Sequence, residues 1–304
     1  MKSYTYFPGC SSSQGAAVAY NESIKAISGQ LGIELIELRD WNCCGSTPYT
    51  STYELESLCV AARNLALAEK IGKDLVTPCS SCNITLNRVN LRFRQFPELK
   101  EKVQRCLAEI GLQYNGSVHV RHLLEVIYID IGLEAISSKV TNPLTGLKVA
   151  AYYGCQILRP DIAFDNPDKP ESLESLISSL GAETIDFPMR DRCCGGLMIV
   201  PEPDLTLGLM RKLLYSAVRG GARCMITVCP LCQTNLDAFQ QNVNKKFNTS
   251  FNLPVLFITQ LIGLALGVSS ESLALDKAVV SADKILKPYV DASLSSRKGT
   301  LVGR

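Results

Sequence analysis

Ten of the thirteen cysteines form two copies of one five-cysteine pattern. Each copy reads Cys, then Cys-Cys-Gly, then Cys-x-x-Cys, and 34 residues separate the last two cysteine groups in both copies. Thiolates are strong ligands for zinc and for iron–sulfur clusters, so this pattern predicts metal binding. The first copy consists of Cys10, Cys43, Cys44, Cys79 and Cys82. The second copy consists of Cys155, Cys193, Cys194, Cys229 and Cys232.

A nearly constant offset relates the two copies. Four of the five cysteines recur 150 residues later, whereas the offset from Cys10 to Cys155 is 145. The segment 166–170, which reads Asn-Pro-Asp-Lys-Pro, is the predicted site of the five extra residues, because its composition is typical of a loop. Self-similarity at a fixed offset indicates an internal duplication.

Strands alternate with helices in each half of the sequence. This alternation predicts an α/β fold class with two pseudo-symmetric parallel-sheet domains and right-handed crossovers. Each motif cysteine would then follow the C-terminal end of a strand, the edge at which open α/β sheets build their sites. The predicted strands are 3–7, 33–38 and 74–77, then 147–153, 184–187 and 224–228. The predicted helices are 15–30, 54–71 and 81–94, then 171–180, 205–218 and 232–241. The predicted domains are 1–142 and 143–275, followed by a C-terminal extension, 276–304.

Zinc, redox and iron–sulfur chemistry compete as interpretations of these cysteines. Cys-x-x-Cys alone is shared by zinc sites and thioredoxin-like redox centres. A zinc site leaves the fifth cysteine of each copy unused, and a thioredoxin-like centre explains neither Cys-Cys-Gly nor the first cysteine. Iron–sulfur clusters accommodate many thiolates on several irons. From the residues alone, iron–sulfur ligation is favoured and a structural zinc site remains the alternative.

Composition narrows the function class and the compartment. The formal net charge is +2, without a block of like charges, which argues against nucleic acid as the main partner. The most apolar stretch, 253–268, is 16 residues long and contains Thr259 and Gln260, so it is too short for a transmembrane segment. It is instead predicted to be a buried segment followed by a core helix. A cytoplasmic location is expected, where thiols stay reduced.

The flanks of the cysteines make the resemblance specific. The chain resembles the cysteine-rich CCG-domain family, and in particular the B-type subunit of heterodisulfide reductase, from about residue 3 to residue 268. The matching segments are Tyr6-Phe-Pro-Gly-Cys10, Asp40-Trp-Asn-Cys-Cys-Gly45, Cys229-Pro-Leu-Cys-Gln-Thr-Asn-Leu236 and Phe257-Ile-Thr-Gln-Leu-Ile-Gly263.

The resemblance implies two non-cubane [4Fe–4S] clusters that face each other near the domain interface. Each five-cysteine copy would supply the metal ligands of one cluster. Gly45, Gly195 and Gly196 are predicted to let the backbone approach the sulfides, with an ordinary turn as the alternative role.

The resemblance also implies a function and partners. The leading hypothesis is a catalytic subunit that cleaves or forms a disulfide or sulfane-sulfur bond between the clusters by one-electron steps. The alternative is a non-catalytic electron-transfer subunit of a dehydrogenase or of a sulfur-oxidising complex. Expected partners are a C-type cubane [4Fe–4S] protein, an A-type flavoprotein, and a disulfide or carrier-bound sulfur substrate.

Several residues outside the motif invite a functional interpretation. His122 and His119 are candidate proton donors to a leaving thiolate, although ordinary structural roles are favoured. Three cysteines without a counterpart in the other half are expected to be small buried hydrophobic residues. They are Cys59, Cys106 and Cys224. The tail, 287–304, is outside the resemblance and is expected to be disordered or to dock on a partner.

Overall fold

The computed structural model describes residues 1–290 except 14, 16, 160 and 161. Most of the tail, 291–304, therefore lies outside the described residues. In the first half, the strands are β1 (Lys2–Tyr6), β2 (Ile33–Glu37), β3 (Leu75–Thr77) and β4 (Val120–His122). The helices are α1 (Cys10–Ser13), α2 (Val18–Leu31), α3 (Glu54–Glu69), α4 (Ser80–Gln95), α5 (Pro97–Ala108), α6 (Leu123–Glu125) and α7 (Leu133–Ser137).

The second half repeats this order with shorter connections. Its strands are β5 (Lys148–Tyr152), β6 (Glu183–Thr184), β7 (Cys224–Thr227) and β8 (Val255–Phe257). Its helices are α8 (Ser172–Ser179), α9 (Pro203–Arg219), α10 (Pro230–Ala238), α11 (Gln240–Phe247) and α12 (Ile258–Ala265). Short 3₁₀ turns cover Pro48–Ser51, Gly196–Ile199 and Leu275–Lys277, and a π-helical turn covers Val126–Ile131.

Two four-stranded parallel sheets have the same strand order. The order is β2-β1-β3-β4 in one sheet and β6-β5-β7-β8 in the other, so the predicted duplication and parallel topology are confirmed. The fourth strand of each sheet was not predicted, because three residues are too few to show a periodic pattern. The apolar stretch 253–268 forms β8 and α12, as expected of a buried segment and a core helix.

The two halves share a continuous apolar core. The rings of Tyr20 on α2 and Phe257 at the end of β8 stack with centroids 4.1 Å apart. Beside them, Ser23 and Thr259 place their hydroxyl oxygens 2.6 Å apart across the α2–α12 contact. These contacts fix the two sheets relative to each other. Among the described residues, none of the helices has both the length and the apolar character needed to cross a membrane.

Candidate metal centre

The motif cysteines lie where parallel strands end. Cys10 begins α1 just after β1, and the Cys43–Cys44 pair follows β2. Cys79 follows β3 and occupies the N-cap position of α4. The second half repeats this placement, with Cys229 after β7 at the N-cap of α10. The prediction that these residues gather at the C-terminal edge of each sheet is therefore confirmed.

The five sulfurs of the first copy contact one another in sequence. The Sγ atoms of Cys10 and Cys43 are 3.7 Å apart. Cys44 hydrogen-bonds with the thiols of Cys43 and Cys82, and Cys82 hydrogen-bonds in turn with Cys79. This first sulfur group thus joins residues from three loops.

The second sulfur group repeats most of these contacts. The Sγ atoms of Cys194 and Cys232 are 3.4 Å apart, and Cys232 hydrogen-bonds with Cys229. Cys155 hydrogen-bonds with Cys193. The two groups meet where Cys229 hydrogen-bonds with Cys79 of the first half.

Burial grades the sulfurs from the junction outward. Cys10, Cys43 and Cys193 are exposed, and Cys155 is half-buried. An open groove of about 1060 Å³ runs beside Cys10 and Cys43. The six remaining motif cysteines are buried. They are Cys44, Cys79, Cys82, Cys194, Cys229 and Cys232.

Neighbouring thiols divide the negative charge between them. Its hydrogen bond with Cys155 lowers the pKa of Cys193 to about 6, and the backbone N–H of Gly195, 3.3 Å from the Sγ of Cys193, adds to this effect. Hydrogen bonds from Cys232 and Cys79 hold the pKa of Cys229 well below its usual range. The pKa of Cys79 is raised, first by its hydrogen bond with Cys229. The expected lowering at helix N-termini is thus seen at Cys229 and not at Cys79.

The donor set fits clusters of several irons. Two groups of five soft sulfur ligands distribute naturally over several metal atoms. A cavity of about 200 Å³ lies among the cysteines of the first sulfur group, closed on one side by Leu197 and Leu231 of the second half. Within the described ranges, no three or more His, Cys, Asp or Glu side chains form a group that could hold a metal ion.

Two glycines that sequence reasoning missed lie directly against the sulfurs. Gly9 has φ +74°, and a Cβ there would be 3.1 Å from the Sγ of Cys82. Gly154 has φ +70°, and its Cβ would be 3.0 Å from the Sγ of Cys232. The recurrence of Gly-Cys at the start of both copies was the signal available in the sequence. Both the backbone conformation and the space beside sulfur therefore favour glycine here.

The predicted glycines have different neighbours. A Cβ on Gly45 would approach Val60, and one on Gly195 would clash with Thr206 at 2.4 Å. Gly196 has open space on that side, but its N–H donates to the Sγ of Cys194 at 3.4 Å. The glycines after the cysteine pair thus pack on the next helix or direct N–H groups at sulfur, and their approach to sulfides stays a prediction.

Amide side chains hold the Cys-Cys-Gly segments and were also missed. In the first half, the Asn42 N–H donates to Asn64 Oδ1 at 2.9 Å, and Asn64 Nδ2 donates back to the Asn42 carbonyl at 3.0 Å. In the second half, Asn235 Nδ2 donates to the carbonyls of Gly196, at 2.9 Å, and Cys194, at 3.3 Å. These amides come from distant helices, so no local pattern marks them.

The two histidines lie at opposite ends of β4. His122 is fully buried at the cysteine end, where its Nδ1 accepts a hydrogen bond from the Leu124 N–H at 3.0 Å. Burial lowers the pKa of His122 to about 4, so the ring is neutral. His119 is an exposed partner of Asp74, 3.4 Å away. His122 is the better placed of the two, and its role as a proton donor stays a prediction.

The three remaining cysteines do not share one environment. Cys224 is fully buried in β7, as expected of a small hydrophobic residue. Cys59 is half-buried on α3, and Cys106 is exposed on α5, so the expectation of burial was wrong for Cys106. The thiols of Cys59 and Cys106 hydrogen-bond with each other.

Comparison with known proteins places this arrangement in a family. The CCG cysteine-rich domain model matches residues 4–87 and 149–237, one match on each sulfur group. The chain belongs to the CCG cysteine-rich domain family. The predicted resemblance is therefore confirmed, and this CCG protein carries the domain twice.

Relatives of this CCG protein have two kinds of name. It is 37% identical over 286 residues to the 8-methylmenaquinol:fumarate reductase membrane anchor subunit of Wolinella succinogenes, covering 93% of this chain and 99% of that one. It is 31% identical over 273 residues to the B-type subunit of the ferredoxin/F420H2-dependent CoB-CoM heterodisulfide reductase of Methanosarcina acetivorans, covering 88% and 91%. It is 32% identical over 303 residues to a protein of Archaeoglobus profundus that is named as similar to the same heterodisulfide reductase component, covering 96% and 99%.

A solved structure shares the fold. A hypothetical protein from Helicobacter pylori superposes with a TM-score of 0.74 at 17% identity, covering 92% of this chain and 52% of that one. At this identity the likeness concerns the fold alone, and it agrees with the two-domain α/β architecture.

Proposed function

We propose that this CCG protein is the iron–sulfur subunit of an oxidoreductase complex and carries two non-cubane [4Fe–4S] clusters. It would break or form a disulfide or sulfane-sulfur bond at the junction between them. The observation that carries this proposal is the meeting of the two sulfur groups, with Cys79 of one half hydrogen-bonded to Cys229 of the other. Two redox centres in contact can act on the two sulfur atoms of one bond.

Each sulfur group would hold one cluster. Cys10, Cys43, Cys44, Cys79 and Cys82 would bind the first, and Cys155, Cys193, Cys194, Cys229 and Cys232 the second. When bound, the clusters supply one-electron transfer to a sulfur substrate, and the protein supplies binding, orientation and shielding. The overall reduction consumes two electrons and two protons for each disulfide and releases two thiols.

The residues of the chain divide the remaining tasks. The buried cysteines at the junction exclude water, because Leu197 and Leu231 of the second half close over the first sulfur group. The groove beside Cys10 and Cys43 gives substrate a path to the exposed sulfurs. Lys25 and Arg39 line this groove, so it can attract an anionic sulfur compound.

Electron supply would come from partner proteins. The ten motif cysteines are divided between two clusters, so we assign a further relay to a C-type cubane [4Fe–4S] protein linked to an A-type flavoprotein. The names of the heterodisulfide reductase relatives support this assembly.

A second function is favoured by one comparison. The 37% identity to a fumarate reductase membrane anchor subunit supports an electron-transfer role in a quinol-linked dehydrogenase. In that role both clusters would pass electrons onward without binding sulfur substrate.

A single turnover without partner proteins distinguishes these functions. Anaerobic protein reduced with titanium(III) citrate is mixed with CoB–CoM heterodisulfide or glutathione persulfide, and released thiol or sulfide is measured. Cys43→Ser/Cys44→Ser and Cys193→Ser/Cys194→Ser should each reduce product release by roughly 100-fold or more, with no greater loss when combined, because both groups act as one unit. Cys224→Ala, outside the motif, is the matched control.

Two outcomes would refute disulfide chemistry. Near-normal product release from either double variant, with the other cluster intact by electron paramagnetic resonance, contradicts it. Electron delivery to a menaquinone analogue with neither thiol nor sulfide released favours the second function instead.

A further inference from the structure

A second kind of cysteine site lies outside the two sulfur groups. Cys59 on α3 and Cys106 on α5 have no counterpart in the other half, yet their thiols hydrogen-bond with each other. The two residues are 47 positions apart in sequence and are brought together because α3 packs against α5. Cys106 is exposed and Cys59 is half-buried, so solvent reaches the pair from the Cys106 side.

We propose that Cys59 and Cys106 form a redox-active dithiol that reacts with a low-molecular-weight disulfide and closes a reversible disulfide between α3 and α5. This modification site is separate from the proposed metal ligands. The structure supports it with a thiol–thiol contact, access for the oxidant on one side and a shielded second thiol on the other.

The exposures of the two thiols assign the order of the steps. The Cys106 thiolate attacks glutathione disulfide, which forms a mixed disulfide and releases one glutathione thiolate. Cys59 then loses its proton to solvent and attacks the Sγ of Cys106, which forms the protein disulfide and releases the second glutathione. Two protein thiols are oxidised and one glutathione disulfide is reduced to two glutathione thiols. Burial, followed by the hydrogen bond with Cys106, raises the pKa of Cys59 to about 12, which suits the later step.

Helix α3 connects this dithiol to the first sulfur group. Val60, the residue after Cys59, accepts a hydrogen bond at its carbonyl from Asn42 Nδ2 at 3.1 Å. One turn later, Asn64 exchanges two hydrogen bonds with the Asn42 backbone. Asn42 directly precedes the Cys43–Cys44 pair. A disulfide that fixes α3 against α5 therefore also restrains the segment that carries two proposed ligands.

This link predicts a consequence that rests on the proposed clusters. Oxidation of the dithiol should slow the release of iron from the first sulfur group to a chelator, because ligand loss requires the Cys43–Cys44 segment to move away. Iron held by the second sulfur group should be released at an unchanged rate.

Peptide mapping of the full-length protein tests the site. Anaerobic protein is treated with glutathione disulfide, free thiols are alkylated, and the digest is analysed by mass spectrometry. The expected product is a peptide pair joined through Cys59 and Cys106. Cys59→Ser should instead retain glutathione on Cys106, because the second thiol is missing. Cys106→Ser should form no joined pair, and Cys224→Ala should behave like the parent protein.

The outcomes separate the dithiol from its consequence. Persistent glutathione on Cys106 of the parent protein, with Cys59 alkylated, overturns the proposal. Formation of the joined pair with unchanged iron release overturns only the link to the first sulfur group. Absence of iron would count against the proposed clusters and leave the mapping result valid.

Discussion

Thiols at the junction of the two halves depend on one another for their charge. The pKa of Cys229 is lowered while that of Cys79 is raised, because the hydrogen bond between them leaves one proton on the pair. Buried sulfurs this close cannot all ionise without a compensating positive charge. Iron would supply that charge and would displace the remaining protons on binding. The arrangement thus favours metal binding over a set of independent thiols.

Gly9→Ala tests how closely the backbone fits the first sulfur group. The new Cβ would lie 3.1 Å from the Sγ of Cys82 at a positive φ of +74°. We expect a loss of about 1–2 kcal/mol from the backbone conformation and, in addition, lower iron content in the first sulfur group. Unfolding by urea and iron analysis of anaerobic protein measure the two effects.

Gly72→Ala is the matched control for this variant. Gly72 has nearly the same φ, +72°, and no atom within 4 Å of a Cβ placed there. It should show the backbone cost alone with full iron content. Equal iron content in both variants would show that Gly9 is required only for its backbone conformation.

The sequence predicts some of these residues better than others. The ligand candidates were found because their offset is constant, and duplication preserves such spacing along the chain. Gly9 was missed because the sequence shows a recurring Gly-Cys but not which sulfur lies beside the glycine. The contact of Cys106 with Cys59 depends on how two helices pack, and no short-range pattern encodes it.

At the scale of elements, β4 shows why the fourth strands escaped prediction. Its three residues include Arg121 and His122, so it lacks the apolar alternation of a longer strand. Arg121 makes a bidentate ion pair with Asp130, at 2.7 and 2.9 Å, and a further ion pair with Glu125 at 2.7 Å. Tyr4 of β1 donates to Asp130 at 2.6 Å. Tertiary contacts of this kind, rather than local propensity, hold the edge of the sheet.

Asp130→Asn should destabilise this edge in a pH-dependent manner. The hydrogen bond from Arg121 lowers the pKa of Asp130 to about 2 from its ordinary value of 3.8. A lowered pKa contributes stability that is fully present above about pH 4–5 and is lost as the pH falls towards about 2. We therefore expect the variant to lose about 2 kcal/mol at pH 7. The difference should become smaller at pH 3, as measured by urea unfolding.

Asp276→Asn provides the control for the loss of one carboxylate. Asp276 is exposed, so its removal should change stability by less than about 0.5 kcal/mol at either pH. An Asp130→Asn effect that is the same at pH 7 and pH 3 would contradict the assigned role of its ionised form.

For the whole molecule, the repeated topology and the shared junction lead to different expectations. Each half has its own four-stranded sheet and its own five cysteines, which favours two sites that load independently. The Cys79–Cys229 contact instead brings the groups close enough for one joint site. Each group has its own cysteine pair and its own glycine against a buried sulfur, Gly9 in one and Gly154 in the other. We therefore expect independent loading.

Single-ligand variants can count the sites. Two [4Fe–4S] clusters correspond to about eight irons, with matching sulfide, in each chain of anaerobic protein. Cys44→Ser and Cys194→Ser should each lower this to about four, because each changes a buried ligand of one group only. Loss of all iron from either variant would indicate one joint site across the junction. Stoichiometric zinc without acid-labile sulfide in the parent protein would refute iron–sulfur ligation, since a structural zinc site needs thiolates but no sulfide.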